Sequence, residues 1–132
     1  MSAPYPELYL EGLRLFNEEE FFECHDVLEE LWADTQGGEK KFYQGLIQLS
    51  ISLFHFGNEN YGGARKLYES SRKYLDAYRP SCMGINVDQL LADHELCFAE
   101  LLSCTDPFNT PDLIIRDELV PKIPLPADAE QV

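Results

Sequence analysis

Basic residues are scarce in this chain. Its 132 residues include 10 Lys and Arg against 24 Asp and Glu, which gives a formal net charge of −14. Proteins that bind nucleic acids use a basic surface to displace counterions from phosphates, and anionic membranes attract polybasic segments. We therefore expect neither a nucleic acid nor a membrane surface among the partners of this protein.

Long apolar runs and paired cysteine motifs are also missing. No run reaches the roughly 20 residues that a membrane-spanning helix needs, and the first residues lack the basic and apolar regions of a signal peptide. Cys24, Cys82, Cys97 and Cys104 show no C-x-x-C spacing and no clustering with histidines of the kind that forms a zinc knuckle, so they do not predict a zinc site. These features predict a soluble, cytoplasmic protein with reduced cysteines.

Two common catalytic motifs are absent as well. No serine stands in a nucleophile-elbow sequence, and no glycine-rich loop follows a strand, so serine hydrolases and nucleotide-binding folds are disfavoured. The sequence leaves open whether the protein is an enzyme, and it names no cofactor. Hydrophobic residues make up 45% of the chain, which is enough for one folded domain with a single core.

Helical periodicity dominates the first 105 residues. It predicts helices at about residues 6–16, 39–56, 60–78 and 87–103, and another that begins after Asn17 and ends near Gly37 and Gly38. Asn17 with Glu20, and Asn86 with Gln89, have the spacing of helix caps. The helix at 39–56 is apolar almost all round, as is typical of a helix in the centre of a domain. We predict an all-α fold: a single-domain bundle of about five helices around one central buried helix.

The last 27 residues differ in character from the rest. Five prolines interrupt residues 106–132, and they separate several Leu, Ile and Val residues. We predict a bundle domain at residues 1–105 and an extended, proline-rich C-terminal arm at residues 106–132. The arm is too apolar to be solvated, so it should pack on the bundle or on a neighbouring copy, which would make a homo-oligomer.

The segment FFECHDVLEELW at residues 21–32 places polar groups within an apolar stripe. At helical spacing, His25, Glu29 and Trp32 share one face with Phe21 and Leu28. Burying a carboxylate is costly unless it is paired or hydrogen-bonded. This pattern therefore predicts a buried polar site with partners on another helix.

A second polar stripe, Gln44, Gln48 and His55, lies on the next helix. The short connection makes the two helices antiparallel neighbours, so the stripes can face each other. Four interpretations remain open: a closed hydrogen-bond network; a ligand pocket; a divalent metal site; and acid–base catalysis by Glu29 with His25. The ligand pocket would use His25, Glu29, Trp32, Gln44, Gln48 and His55, and the metal site would use His25, Glu29 and His55.

An interaction adaptor is the alternative from another functional class. The segment at residues 57–71 is similar to the middle of a tetratricopeptide repeat, with Tyr61, Ala64 and Tyr68 at the usual contact spacings. An adaptor could use this hairpin together with the apolar arm. His94, on the last helix, is better interpreted as a core histidine than as a ligand.

Four motifs together point to a known family. They are EFFECHDVLEELW at 20–32, FYQGLIQL at 42–49, LFHFGN at 53–58 and GINVDQLL at 84–91. Over about residues 12–91 the chain resembles the prokaryotic family catalogued as domain of unknown function 309. The resemblance implies a small all-helical bundle and a role for the six pocket residues, but it implies no substrate.

Overall fold

The computed structural model describes residues 5–104 and 113–126, and it confirms the predicted all-α bundle. Its five helices are α1 (Glu7–Asn17), α2 (Phe21–Asp34), α3 (Lys40–Gly57), α4 (Tyr61–Leu75) and α5 (Val87–Leu102). Short 3-10 turns follow at Asp76–Tyr78 and Asp117–Leu119. One feature was not predicted: strands β1 (Ser81–Cys82) and β2 (Ile85–Asn86) form a small antiparallel hairpin between α4 and α5.

Helix α3 is central, as its apolar circumference predicts. It packs against α2 on one side and α4 on the other. Gly45 allows the close approach of α4, because a Cβ atom at this position would lie 2.7 Å from side-chain atoms of Leu75. The buried residues of α3 are Phe42, Tyr43, Gly45, Leu46, Ile47, Leu49, Ser50, Ser52, Leu53 and Phe56. Gln44, Gln48 and His55 of this helix are only partly buried and lie outside that core set.

The helix caps are partly those that the sequence predicts. Asn86 accepts a hydrogen bond from the Gln89 amide at 3.0 Å and caps α5 as expected. The predicted cap at Asn17 is wrong, because Asn17 is the last residue of α1 and α2 begins at Phe21. The Asn17 side chain instead binds the backbone of Ile123, donating to its carbonyl and accepting from its amide, each at 2.7 Å.

Residues 113–126 lie against the bundle. The Leu113, Val120 and Ile123 side chains are buried in the same core as the helices. Lys122 donates to the Asn17 carbonyl at 2.7 Å, and Arg116 contacts the Glu100 carboxylate at 2.7 Å. The predicted domain boundary, between residues 105 and 106, lies outside the described residues, so the division into two domains stays a prediction.

Within residues 5–104 and 113–126, no helix is both long and apolar enough to cross a bilayer.

Candidate functional site

The His25 imidazole lies between two carboxylates on the surface of α2. Its Nε2 atom is 3.1 Å from Glu29 Oε2, and its Nδ1 atom is 3.5 Å from Asp26 Oδ1 and 3.2 Å from the Phe22 carbonyl oxygen. The i,i+4 spacing of His25 and Glu29 places both side chains on one helix face. The predicted pairing of these two residues is therefore present.

The predicted burial of this pair is wrong. The Glu29 side chain is 56% exposed and the His25 side chain is 20% exposed. The core face of α2 is formed by Phe21, Cys24, Leu28 and Leu31. At 100° per residue, Glu29 lies about 120° from the centre of that face, and water therefore solvates its carboxylate. Among the described residues, the Glu29 carboxylate is therefore not enclosed in a buried hydrogen-bond network.

An open groove between α2 and α3 brings part of the predicted set together. Its volume is about 480 Å³, and Glu29, Trp32 and Gln44 are among the residues that line it. The other lining residues, Asp26, Glu30, Ala33 and Ile47, were not predicted as site residues. Glu30 and Ala33 fall on the same outer face as Asp26, so helical spacing could have identified them once the solvent side was known.

Trp32 forms the aromatic part of this groove and already carries a cation. The Nζ atom of Lys40, the first residue of α3, lies 4.3 Å from the centroid of the indole ring. An ammonium above the face of a tryptophan is attracted by the ring's quadrupole. The groove therefore combines three carboxylates, an amide side chain and an indole face that accepts a positive charge.

Three residues of the predicted pocket, His25, Gln48 and His55, are not among those that line this groove. Gln48 is partly buried on the same stripe of α3, and its Oε1 atom is buried without a hydrogen-bond partner among the described residues. His55 lies at the end of α3, where its Nδ1 atom is 3.3 Å from Asn60 Nδ2. Asn60 also caps α4 by accepting from the Gly63 amide, so His55 belongs to the α3–α4 turn.

The predicted metal site is not assembled. Across residues 5–104 and 113–126, no three His, Cys, Asp or Glu side chains are grouped so that they could hold a metal ion. His25 has Glu29 beside it, but His55 is engaged at the end of α3. The predicted metal set therefore consists of the pair His25 and Glu29 and of His55, which belongs to the α3–α4 turn.

An aromatic row connects the two histidines along the surface. Phe22 is 47% exposed, and its ring lies 5.4 Å from the His25 ring and 5.5 Å from the Phe54 ring. Phe54 in turn is 6.0 Å from the ring of His55. Phe22 was not predicted as a site residue, although its position four residues before Asp26 places it on the outer face of α2.

His94 has the core position that the sequence favours. Its side chain is fully buried among α3, α4 and α5, with the rings of Tyr68 and Phe98 at 4.6 and 4.7 Å. Ser52 Oγ donates to the Leu49 carbonyl at 2.6 Å, so His94 Nε2–H donates to Ser52 Oγ at 2.9 Å. Burial, with a smaller effect of Arg72, lowers the His94 pKa to about 3.

The comparison with known families bears on the first four helices. Residues 9–67 match the family model described as Domain of unknown function (DUF309). The match confirms the resemblance and covers α1 from Tyr9 onward, all of α2 and α3, and the beginning of α4. It therefore includes the groove, whereas the motif at residues 84–91 lies beyond it.

Two relatives are similar to this chain over more than half of its length. The chain is 34% identical over 86 residues to "Uncharacterized protein YpuF" of Bacillus subtilis (strain 168), which covers 64% of this chain and 49% of the relative. It is 29% identical over 108 residues to "Uncharacterized protein" of Aquifex aeolicus (strain VF5), covering 81% of this chain and 31% of the relative. The chain thus spans about half of the first relative's length and about a third of the second's.

Proposed function

We propose that this protein is a binding protein whose α2–α3 groove takes a small polar ligand. The observation that carries the proposal is the groove itself, in which Glu29 and Trp32 of α2 face Gln44 of α3 within one volume of about 480 Å³. Ligand sites of this kind combine an aromatic wall with a few convergent polar groups. The DUF309 match includes every residue that lines the groove.

The groove favours a ligand that donates hydrogen bonds. Carboxylates accept hydrogen bonds and cannot donate them when ionised, and three of them line the groove: Asp26, Glu29 and Glu30. An ammonium or guanidinium group could bridge these carboxylates and lie on the Trp32 ring, where Lys40 now lies. The same three carboxylates would repel an anionic ligand.

Catalysis has less support than binding. A carboxylate that serves as a general base is commonly tuned by desolvation in a closed site. Glu29 is more than half exposed, and the groove is open to solvent. The adaptor alternative is also weaker in its original form, because Leu113, Val120 and Ile123 of the arm are buried in the protein's own core.

Calorimetric titration with matched small probes tests the proposal. Nα-acetyl-arginine amide carries a guanidinium, and Nα-acetyl-citrulline amide replaces it with a neutral urea of similar shape. The chain's single tryptophan, Trp32, provides an independent fluorescence signal from the groove. We expect the arginine compound to bind and to change the Trp32 emission, and the citrulline compound to bind at least fivefold more weakly.

The variant Gln44→Ala and its control Gln89→Ala locate the binding. Gln44 lines the groove, whereas Gln89 lies near the beginning of α5. We expect weaker binding only in Gln44→Ala. If neither probe binds, or if both variants bind the arginine compound equally well, the groove is not the binding site and the proposal is wrong.

A further inference from the structure

The outer face of α2 carries a concentration of negative charge. The helix has five carboxylates and no Lys or Arg: Glu23, Asp26, Glu29, Glu30 and Asp34. All five residues are exposed. Within the described residues, none of these carboxylates lies within 4 Å of a lysine or arginine nitrogen. The charge of this face is therefore available to an external cation.

Five of the ten basic residues pair with carboxylates outside α2. Arg65 lies near Glu69, Arg79 between Asp76 and Asp88, and Lys122 near Glu19. Arg72 and Arg116 contact carboxylates of α5. The Lys40 ammonium lies over the Trp32 indole ring at the α2–α3 face and pairs with none of the α2 carboxylates within the described residues. Of the five described helices, α2 has the most carboxylates, and none of them is paired with a lysine or arginine.

Apolar surface accompanies the charge at both ends of the helix. Phe22 is 47% exposed at the beginning of α2 and contacts the Phe54 ring, and Trp32 lies near its end. Ten residues of helix separate Phe22 from Trp32, which corresponds to about 15 Å. The groove occupies only the Trp32 end, so a small molecule in it would leave the Phe22 end uncovered.

We propose that the α2–α3 face docks a basic, amphipathic segment of a partner protein; the proposal rests on the groove being a binding site. In this complex, a lysine or arginine of the partner enters the groove and replaces the Lys40 ammonium on Trp32. Other basic side chains of the segment pair with the α2 carboxylates, and its apolar residues cover Phe22 and Phe54. Complementary charge fixes the class of partner, since an acidic segment would be repelled.

Fluorescence anisotropy with designed peptides tests this proposal. The probe is a labelled 14-residue peptide with leucines at helical i,i+3/i+4 spacing and lysines elsewhere. A peptide of the same composition in scrambled order removes the apolar face, and a third peptide replaces each lysine with glutamate. At physiological salt, we expect the amphipathic basic peptide to bind at least tenfold more tightly than the scrambled one, and the acidic peptide not to bind.

Two triple variants with the same change in net charge separate docking from general attraction. Asp26→Asn, Glu29→Gln and Glu30→Gln together remove three charges of the groove. Glu7→Gln, Glu11→Gln and Glu18→Gln together remove three exposed charges on and after α1. We expect the first variant to weaken peptide binding at least tenfold and the second less than threefold. Equal weakening would show attraction by net charge alone and would overturn the proposal.

The variant Phe22→Ala tests the apolar part, since its exposed ring can be removed without opening the core. We expect Phe22→Ala to weaken binding of the basic amphipathic peptide at least fivefold and to leave binding of Nα-acetyl-arginine amide unchanged. A peptide that binds no more tightly than the arginine compound would overturn the docking proposal while the groove remains a small-ligand site. If neither the peptide nor the arginine compound binds, both proposals are wrong.

Discussion

Two histidines in this protein lie in opposite surroundings. His94 is fully buried between aromatic rings, donates one hydrogen bond to Ser52, and has its pKa lowered to about 3. His25 lies on the surface between the carboxylates of Asp26 and Glu29, beside an open groove. The first environment excludes charge and the second accumulates it.

Under the proposed function, this difference distinguishes a structural region from a region for recognition. A polar group in a core is enclosed and neutral; His94 is hydrogen-bonded to Ser52 through Nε2, and its Nδ1 atom is buried without a partner among the described residues. The α2–α3 face instead exposes charges that have little effect on the folded state, because solvent screens them. Substitutions in the core and in the docked arm should therefore lower stability, and substitutions on the α2–α3 face should lower binding.

The largest effect should come from the buried part of the arm. Ile123 is 2% exposed and Ile114 is 69% exposed, so the same substitution in the same segment differs only in burial. We expect Ile123→Ala to lower the free energy of unfolding by about 3 kcal/mol, because it leaves a cavity. Ile114→Ala should stay within about 0.5 kcal/mol. Urea unfolding measures both; equal values would show that the arm does not belong to the core.

Acid should lower the free energy of unfolding through His94. Its folded-state pKa of about 3 lies below its ordinary value of 6.5, so the unfolded chain takes up the proton first as the pH falls. The contribution of neutral His94 to the free energy of unfolding is complete above pH 6.5 and is lost progressively between pH 6.5 and 3. From pH 7 to pH 4.5, we expect the wild type to lose about 2–3 kcal/mol more than His94→Gln. Parallel pH profiles of the two proteins would contradict this account.

Substitution of Asn17 should have an intermediate effect on stability. Its side chain holds the Ile123 backbone with two hydrogen bonds of 2.7 Å. We expect Asn17→Ala to cost about 1–2 kcal/mol, because a partly buried amide and carbonyl lose their partners. Asn58, an exposed residue just after α3, provides the matched control, and Asn58→Ala should change the free energy of unfolding by less than half as much. If the thermal melts of the two variants have the same midpoint, the Asn17 contact does not stabilise the fold.

Periodicity predicted most of the fold, since it depends on long, regular patterns. The apolar circumference of α3 identified the central helix, and N-x-x-Q spacing identified the cap at Asn86. Asn17 was misassigned because an asparagine followed by Glu20 resembles a capping box whatever its side chain binds. Its real partner, Ile123, lies 106 residues away, and no local pattern reports a contact at that separation.

The site was predicted only in part for a geometric reason. Helical spacing places His25, Glu29 and Trp32 on adjoining positions, but it does not say where the core stripe ends. The stripe runs through Phe21, Cys24, Leu28 and Leu31, so Glu29 falls beyond its edge. A shift of about one residue in the assumed core direction turned an exposed carboxylate into a buried one. Gln44 was assigned to the correct neighbourhood because the short connection fixes α3 beside α2.

The substitution Glu29→Gln, measured twice on the same sample, tests the central claim most directly. Glu29 and His25 form an exposed i,i+4 pair, which contributes only about 0.2–0.5 kcal/mol to a helix. We predict a free energy of unfolding within about 0.5 kcal/mol of the wild type, together with at least fivefold weaker binding of Nα-acetyl-arginine amide. A variant that loses several kcal/mol of stability and keeps its affinity for the arginine compound would contradict the assignment of this face to recognition.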